Sequence, residues 1–153
     1  MKFRMVDRIV EFVPRASISG IKAVSFEEYE LRSVLADHPS LPESLIMESL
    51  FQLGNWLIIL TSGFSKMGLV IRTNEIRFEK PLGPGQSMLM QVQVRRYRDD
   101  GIVFDGQALV GQRVIAHGSG CLAVPTALTE YYDPEDLRVL FSEIYRPNIS
   151  GGR

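Results

Sequence analysis

The stretch from Leu45 to Leu60 limits the possible folds of this chain more than any other segment. Its large apolar side chains recur at such spacings that, at about 3.6 residues per turn, they cover most of the circumference of a helix. A helix that is apolar on nearly every side has to be enclosed, so we predict a core helix rather than a surface helix. The apolar residues are Leu45, Ile46, Leu50, Leu53, Trp56, Leu57 and Leu60.

Local signals place this helix at about residues 43 to 60. Ser40 offers a hydroxyl to the free amides, Pro42 lacks the donor that would go unpaired there, and the acid of Glu43 suits the positive end of the helix. We therefore expect Ser40 to cap the helix. Gly63 marks its end.

Segments in which apolar and polar residues alternate lie on both sides of the helix, which is typical of strands. The residues Asp99 to Gly101 supply a tight hairpin turn between two of them. A single enclosed helix needs a curved sheet around it, so we predict one α+β domain with a curved antiparallel sheet. The predicted strands cover residues 8–14, 17–25, 69–78, 87–97, 102–111 and 112–124, and residues 27–40 are a predicted loop with one helical turn.

The C-terminal segment carries start signals for a second helix at Asp133 and Pro134. The apolar residues that follow share one side, which predicts a short amphipathic helix that packs back on the body, followed by a frayed tail. We therefore divide the chain into a main domain, residues 1–125, and a C-terminal extension, residues 126–153. The apolar residues of this helix are Leu137, Leu140, Phe141 and Ile144.

Composition excludes several classes of function. The chain has 17 Lys and Arg against 18 Asp and Glu, so it offers no positive field for nucleic acid. Cys121 is the only cysteine and no Cys/His group has zinc-ligand spacing, so we expect an inert buried thiol, no disulfide and no metal. The first residues mix charges into the apolar pattern, so we expect no secretory signal, and the longest purely apolar run, Trp56 to Leu60, is too short to span a membrane. We expect a soluble, cytoplasmic protein without a cofactor.

A line of four polar side chains runs along the otherwise apolar helix. One interpretation is ordinary polar cover that faces solvent or a partner subunit. The other is a cavity at a subunit boundary, in which Glu48 acts as an acid or base with its pKa raised by apolar neighbours. The four residues are Ser44, Glu48, Gln52 and Asn55.

Two blocks of the sequence resemble a known family. Residues 38–52, HPSLPESLIMESLFQ, resemble the His-Pro-x-x-Pro-Gly-x-Leu-x-x-Glu-x-x-x-Gln motif of the FabZ/FabA-type 3-hydroxyacyl-acyl-carrier-protein dehydratases. Residues 77–88, RFEKPLGPGQSM, are similar to the family's Arg-Phe-x-x-Pro-hydrophobic-x-Pro-Gly-Asp segment, and VDRIVEFVP is similar to its opening strand. The resemblance covers roughly residues 3–124 and implies the hotdog fold, a long helix wrapped by a sheet.

The resemblance implies a catalytic pair of which one member is present. In the family, a histidine fourteen residues before the helix glutamate meets that glutamate across the dimer, to remove the C2 proton and expel the C3 hydroxyl. Glu48 and Gln52 match family residues, but Val34 stands at the histidine position and cannot transfer a proton. We predict a weak or inactive dehydratase. His38, at the family's second histidine, is the candidate substitute.

The resemblance also implies residues that bind substrate. Glu43 stands where the family has a glycine whose amide helps bind the thioester carbonyl, so the amide remains beside a new carboxylate. We predict substrate contacts for Ser44 and Asn55 as well. His117, on the last predicted strand, is expected at the sheet surface or an interface.

Several arginines, most of them close before the turn at Asp99 to Gly101, form the basic concentration of the chain. One interpretation is a solvated strand end that pairs with Asp99 and Asp100. The resemblance implies instead an acyl carrier protein that delivers substrate on a phosphopantetheine arm, with these arginines as a rim that binds the carrier. The predicted rim residues are Arg77, Arg95, Arg96 and Arg98.

Three functions are therefore open. The first is a FabZ-like protein of fatty-acid or polyketide metabolism that takes an acyl-ACP or acyl-CoA thioester. The second is a hotdog thioesterase that uses Glu48 to activate water or attack the carbonyl. The third is a non-catalytic binding subunit, or one half of a heterodimer whose partner supplies the histidine. An exposed sheet edge predicts a homodimer or a higher oligomer.

Overall fold

The computed structural model describes residues 4–25 and 40–147 and contains a sheet wrapped around one long helix. The predicted α+β class is confirmed. The predicted loop at 27–40, with His38 but except for Ser40, and the tail after Pro147 lie outside the described residues. The elements are β1 Arg8–Val13, β2 Ser17–Ala23, α1 Glu43–Thr61, β3 Lys66–Arg72, β4 Glu75–Phe78, β5 Ser87–Arg98, β6 Gly101–Val110, β7 Arg113–Ala127 and α2 Pro134–Ile144, with a 3-10 turn at Leu128–Glu130.

The strands form one antiparallel sheet in the order β1-β2-β5-β6-β7-β3, and β4 also pairs with β7. Helix α1 contacts β2, β3, β5, β6 and β7, so it lies along the inner face of the sheet. Side chains alternate between the two faces of each strand, and those that face α1 form the core with it.

Helix α1 is enclosed as its sequence predicts, but its cap differs from the prediction. The N-cap residue is Pro42 and no side chain caps the helix, so the prediction for Ser40 is wrong. The physical reason is a long-range bond: the amide of Leu41 donates to the carbonyl of Leu82 at 2.7 Å, which leaves Ser40 outside the helix entry. The Pro42 carbonyl accepts the first helical hydrogen bond, from the amide of Leu45 at 2.9 Å.

Glycine allows α1 to lie close to the sheet. A Cβ atom on Gly54 would lie 2.7 Å from Cζ of Phe104, whose ring is 1% exposed on β6. A Cβ on Gly68 of β3 would lie 3.2 Å from Cβ of Ala123 and closer still to the side chain of Ile58. Larger residues at these positions would push the helix away from the sheet.

The predicted strand 69–78 is two strands, β3 and β4, and this prediction is corrected. Both pair with β7, but β4 meets residues 116–119 and β3 meets residues 122–127. Between the two parts Gly120 has φ +60, a left-handed conformation that bends β7. Asn74, between β3 and β4, lies beside this bend, because its backbone amide donates to the Ser119 carbonyl at 3.0 Å.

The predicted C-terminal helix is confirmed. Asp133 is its N-cap, and a side-chain oxygen accepts from the amide of Glu135 at 2.9 Å. Its apolar side faces α1: Leu137 and Leu140 are buried, and the rings of Phe141 and Trp56 lie 6.0 Å apart. The stop-and-start signals around Asp133 are local, which explains why sequence alone located this helix.

After α2 the chain runs beside β1. Tyr145 forms a bridge with Ile9, and the amide of Arg146 donates to the Ile9 carbonyl at 2.9 Å. The side chain of Arg8 donates in turn to the Arg146 carbonyl, also at 2.9 Å. The C-terminal segment thus covers the outer edge of β1.

By length and composition alone, α1 would be a candidate to cross a membrane. In the structure, however, 61% of its most apolar window is buried inside the fold. Helix α1 is therefore the core helix around which the sheet is wrapped.

The close contact at Gly54 predicts a reversal of the usual helix preference. Gly→Ala at an open helical site stabilises by about 1 kcal/mol. Gly54→Ala should instead lower the free energy of unfolding by about 1 to 3 kcal/mol, because the added methyl group overpacks against Phe104. Urea denaturation at equilibrium measures this, with Ser44→Ala on the exposed helix surface as the control. A more stable Gly54→Ala protein would show that the contact is loose.

Candidate active site

The polar line on α1 passes from solvent into the protein. Ser44 and Glu48 are exposed, Gln52 is only 8% exposed, and Asn55 is half-buried. Glu48 therefore lies where the helix is exposed to solvent, rather than deep inside the apolar core. The structure places this carboxylate at an accessible position next to a buried amide.

Gln52 fixes the orientation of Glu48. The backbone amide of Met5 donates to Oε1 of Gln52 at 2.9 Å, and Nε2 of Gln52 donates to Oε1 of Glu48 at 3.0 Å. Because the Met5 amide can only donate, it defines which end of the Gln52 amide faces the carboxylate. Glu48 is thus oriented through an uncharged chain of hydrogen bonds.

Asn55 is engaged in the fold. Its Oδ1 accepts from the backbone amide of Gly68 at 2.8 Å, which ties α1 to β3. Of the four residues of the polar line, the structure brings Glu48 and Gln52 into contact, while Asn55 serves a contact of its own. The substrate role of Asn55 stays a prediction.

The start of α1 carries two more of the predicted residues. Glu43 is the first residue of the helix and Ser44 the second, and both side chains are exposed. Ser44 precedes Glu48 by four residues, so their side chains share one face about one turn apart. The free amides and the positive dipole of the helix end lie at this same place.

The predicted arginine rim is not a single cluster. Arg95 forms an ion pair with Asp105, and Arg77 forms one with Glu75. The predicted interpretation of internal ion pairing thus applies to two of the arginines, although their partners are not the turn acids. Arg96 and Arg98 are exposed on the last residues of β5.

This end of β5 lies at the far end of α1 from Glu48. Arg15 contacts it: its amide donates to Oγ1 of Thr61, the last residue of α1, and its guanidinium lies 4.8 Å from the ring centroid of Tyr97. Burial raises the pKa of Tyr97, against the opposing effects of Thr61 and Arg15. Thirteen residues of helix separate Glu48 from Thr61, which is about 20 Å along the axis. Within one chain, Arg96 and Arg98 therefore do not meet Glu48.

Cys121 is buried, as predicted, and His117 is half-buried on the outer face of β7. Burial, together with the nearby negative charge of Asp105, raises the pKa of the Cys121 thiol to about 11. Such a thiol is a poor nucleophile at neutral pH. Within residues 4–25 and 40–147, no group of three His, Cys, Asp or Glu side chains is arranged to hold a metal ion.

Sequence reasoning missed the N-terminal segment that supports the site. Met5 is bound to Gln52, and two residues later Asp7 accepts from the amide of Ala23 at 2.7 Å and lies 3.8 Å from the buried amine of Lys22. The segment is therefore fixed to α1 and to β2 at once. The sequence signal was Lys22, which shares one face of an alternating strand with Ile18. Lysine at an inward position needs a partner, because it is rarely buried without one.

Comparison with known proteins finds relatives for the region that contains α1 and most of the sheet. A family profile described as a FabA-like domain matches residues 1–119. The 3-hydroxyacyl-[acyl-carrier-protein] dehydratase FabZ of Paramagnetospirillum magneticum is 33% identical over 120 residues, which cover 76% of this chain and 74% of the relative. FabZ of Caulobacter vibrioides strain NA1000 is 34% identical over 117 residues, 74% of each chain.

Solved structures confirm the hotdog fold. The protein smu.793 of Streptococcus mutans, bound to acetyl CoA, has a TM-score of 0.62 at 12% identity over 78% of this chain and 88% of its own. The dehydratase heterocomplex ApeI:P of Xenorhabdus doucetiae has a TM-score of 0.59 at 15% identity over 73% and 91%. Zebrafish thioesterase superfamily member 2 has a TM-score of 0.58 at 12% identity over 78% and 79%. At these identities the similarity concerns the fold alone.

The state of Cys121 gives a prediction about reactivity. With a pKa of about 11, roughly one thiol in a thousand is ionised at pH 8, and burial restricts access further. Alkylation by iodoacetamide at pH 8 should therefore be about 100-fold or more slower in the folded chain than in urea. Mass spectrometry of timed samples measures both rates. Equal rates would mean that the thiol is open to solvent.

Proposed function

Because this chain belongs to the FabA-like family, we propose that it is a FabZ-like protein of cytoplasmic fatty-acid or polyketide metabolism that binds an acyl thioester beside Glu48. The supporting observation is the hydrogen-bond chain from Met5 through Gln52 to Glu48. It orients the carboxylate through two neutral amides, so Oε1 of Glu48 is held in a defined position. Glu48 is also exposed, which gives a substrate access to it.

The proposed reaction is a slow dehydration. Elimination of water from a 3-hydroxyacyl thioester needs one group to take the C2 proton and one to protonate the departing C3 hydroxyl. Glu48 supplies one group, and Val34 at the family's histidine position cannot supply the other. The loss of one acid-base group typically lowers a rate by about 10² to 10⁴-fold. His38 remains the candidate for the second group.

The start of α1 is the proposed site of the thioester carbonyl. The first-turn amides and the helix dipole favour the negative charge that builds on that oxygen. The carboxylate of Glu43 works against this charge, which adds to the expected slowness. Ser44, one turn before Glu48, is the proposed contact for the polar part of the substrate.

We place the homodimer contact at the free side of β3 and β4. In the described part of the chain these strands pair only with β7, and they carry exposed apolar side chains. Leu69 is 41% exposed, Ile71 64% and Ile76 40%. Pairing of two such edges would cover these side chains and place the second copy beside α1.

The dimer also gives the arginines a role. In one chain Arg96 and Arg98 lie far from Glu48, so we propose that they serve the site of the other copy. An acyl carrier protein that presents acidic side chains would bind there while its arm reaches the thioester site. A CoA thioester would use the same site without the carrier contact.

Two alternatives share this site. A carboxylate held by an amide also suits a thioesterase, in which Glu48 activates water or attacks the carbonyl. A non-catalytic subunit, or a heterodimer in which another chain brings the histidine, fits the free edge and the replacement at Val34. The two-chain dehydratase among the fold relatives, named as a heterocomplex, makes the latter arrangement a concrete alternative.

Restoring the family turn tests the proposal. Residues 33–36, Ser-Val-Leu-Ala, would be replaced by Gly-His-Phe-Pro. Hydration of a crotonyl-carrier thioester, followed by ultraviolet absorbance, should rise by about 10²-fold or more over the natural chain.

The matched control is the same replacement combined with Glu48→Gln, which should remove the gain. Thiol release, measured with a colour reagent in the same samples, detects a thioesterase. Family-like hydration by the natural chain, lost on both Glu48→Gln and His38→Ala, would contradict the proposal and make His38 the missing partner.

A second experiment tests the dimer. Ile71→Lys puts a charge on the exposed edge and should shift sedimentation velocity from dimer to monomer at micromolar concentration. Val139→Lys is the control, because Val139 is 58% exposed on α2, on a different part of the surface. An Ile71→Lys protein that sediments like the natural chain would exclude this edge as the contact.

A further inference from the structure

The outer face of the sheet, opposite α1, carries an ordered row of polar side chains. Direct register partners place one residue of each of six strands side by side, and such partners share a face. The row begins with an acid on β1 and ends with a base on β4. Its members are Glu11, Ser19, Gln91, Gln107, His117 and Arg77.

Two further rows flank it. On one side Ser17, Gln93 and Asp105 are register partners. On the other side lies an apolar row of half-buried residues on the same face. That row consists of Ile21, Leu89, Leu109 and Val114. An apolar stripe beside a polar one is typical of a protein interface with a core and a polar rim.

We propose that this face binds a second copy of the chain, back to back, about a two-fold axis that runs along the strands between β5 and β6. Such an axis places β1 over β4, β2 over β7 and β5 over β6 of the other copy. It matches Leu89 with Leu109, and Glu11 with Arg77, which also pairs with Glu75 of its own chain. The central Gln91 then lies over Gln107.

The central amides support this match. Within one chain Nε2 of Gln107 donates to Oε1 of Gln91 at 2.7 Å. This bond leaves the NH₂ group of Gln91 and the side-chain oxygen of Gln107 for the other copy. In the flanking row Gln93 lies over Asp105, whose carboxylate is paired with Arg95 of its own chain. The central row and the apolar row are therefore each complementary to themselves under one and the same axis.

The cavity on this face also favours a protein partner. A hollow of about 920 Å³ extends from Glu11 to His117, and its lining contains no lysine and no Phe, Tyr or Trp. Lysine is depleted at interfaces, and a small ligand would lack a ring to stack on. Six strands at about 4.8 Å and three rows at about 7 Å give a patch of about 600 Å² per copy. That is the size of a weak interface, which retains water in the hollow.

Sedimentation equilibrium of the full chain tests the proposal. The Ile71→Lys background removes edge pairing, so it isolates the outer face and is independent of the proposed activity. At roughly 10 to 500 µM a monomer-dimer equilibrium is expected. Glu11→Arg and Arg77→Glu should each weaken it by about 10-fold or more, because each places like charges together. Leu109→Arg should also weaken it, and Asp136→Arg on α2 is the control.

The double variant Glu11→Arg with Arg77→Glu should restore association. These residues lie five strands apart, about 24 Å, so restoration can come only from contact between two copies. Thermal melts followed by circular dichroism verify that each variant is folded. A chain that stays monomeric over the whole range would overturn the proposal, as would a dimer indifferent to both single reversals or a double variant that stays weak.

Discussion

The contact between α1 and the inner face of the sheet governs the rest of this structure. The helix is apolar on most sides and reaches the sheet closely enough that Gly54 has no room for a Cβ beside Phe104. A helix held so closely leaves little freedom for its polar residues. Gln52 is buried and has to be hydrogen-bonded, and Glu48 takes its orientation from that requirement. The geometry of the candidate site is thus a consequence of core packing.

The sequence predicted the elements whose signals are local. The apolar spacing of α1 and the cap at Asp133 need no distant partner, and both helices lie where they were predicted. Ser40 failed as a cap because the Leu41 amide is bound to Leu82, forty-one residues away. The single strand predicted at 69–78 failed because the bend at Gly120 belongs to another strand. Alternation along one strand carries no information about a bend in its neighbour.

The candidate site, like the fold, was predicted from the sequence only where the signals are local. The spacing of Glu48 and Gln52 placed them on one helix face, but the bond from Met5 joins residues 47 positions apart and no pattern on the helix reports it. The family resemblance suggested that four arginines form a rim beside the site. In the fold Arg95 and Arg77 pair with acids of their own surroundings, and Arg96 and Arg98 lie near the other end of α1. A resemblance in sequence does not report these distances, because a site near Glu48 requires elements that only the topology brings together.

The C-terminal segment determines which edge is left to build such a site. Of the two outer strands, β1 is covered by Tyr145 and Arg146, whose backbone groups use the Ile9 positions that another strand would need. The edge formed by β3 and β4 has no such cover in the described part of the chain. This segment lies beyond residue 119, where the family profile ends. A second chain that completes the site by strand pairing therefore has to approach from the β3 and β4 side, the side to which Asn55 ties α1.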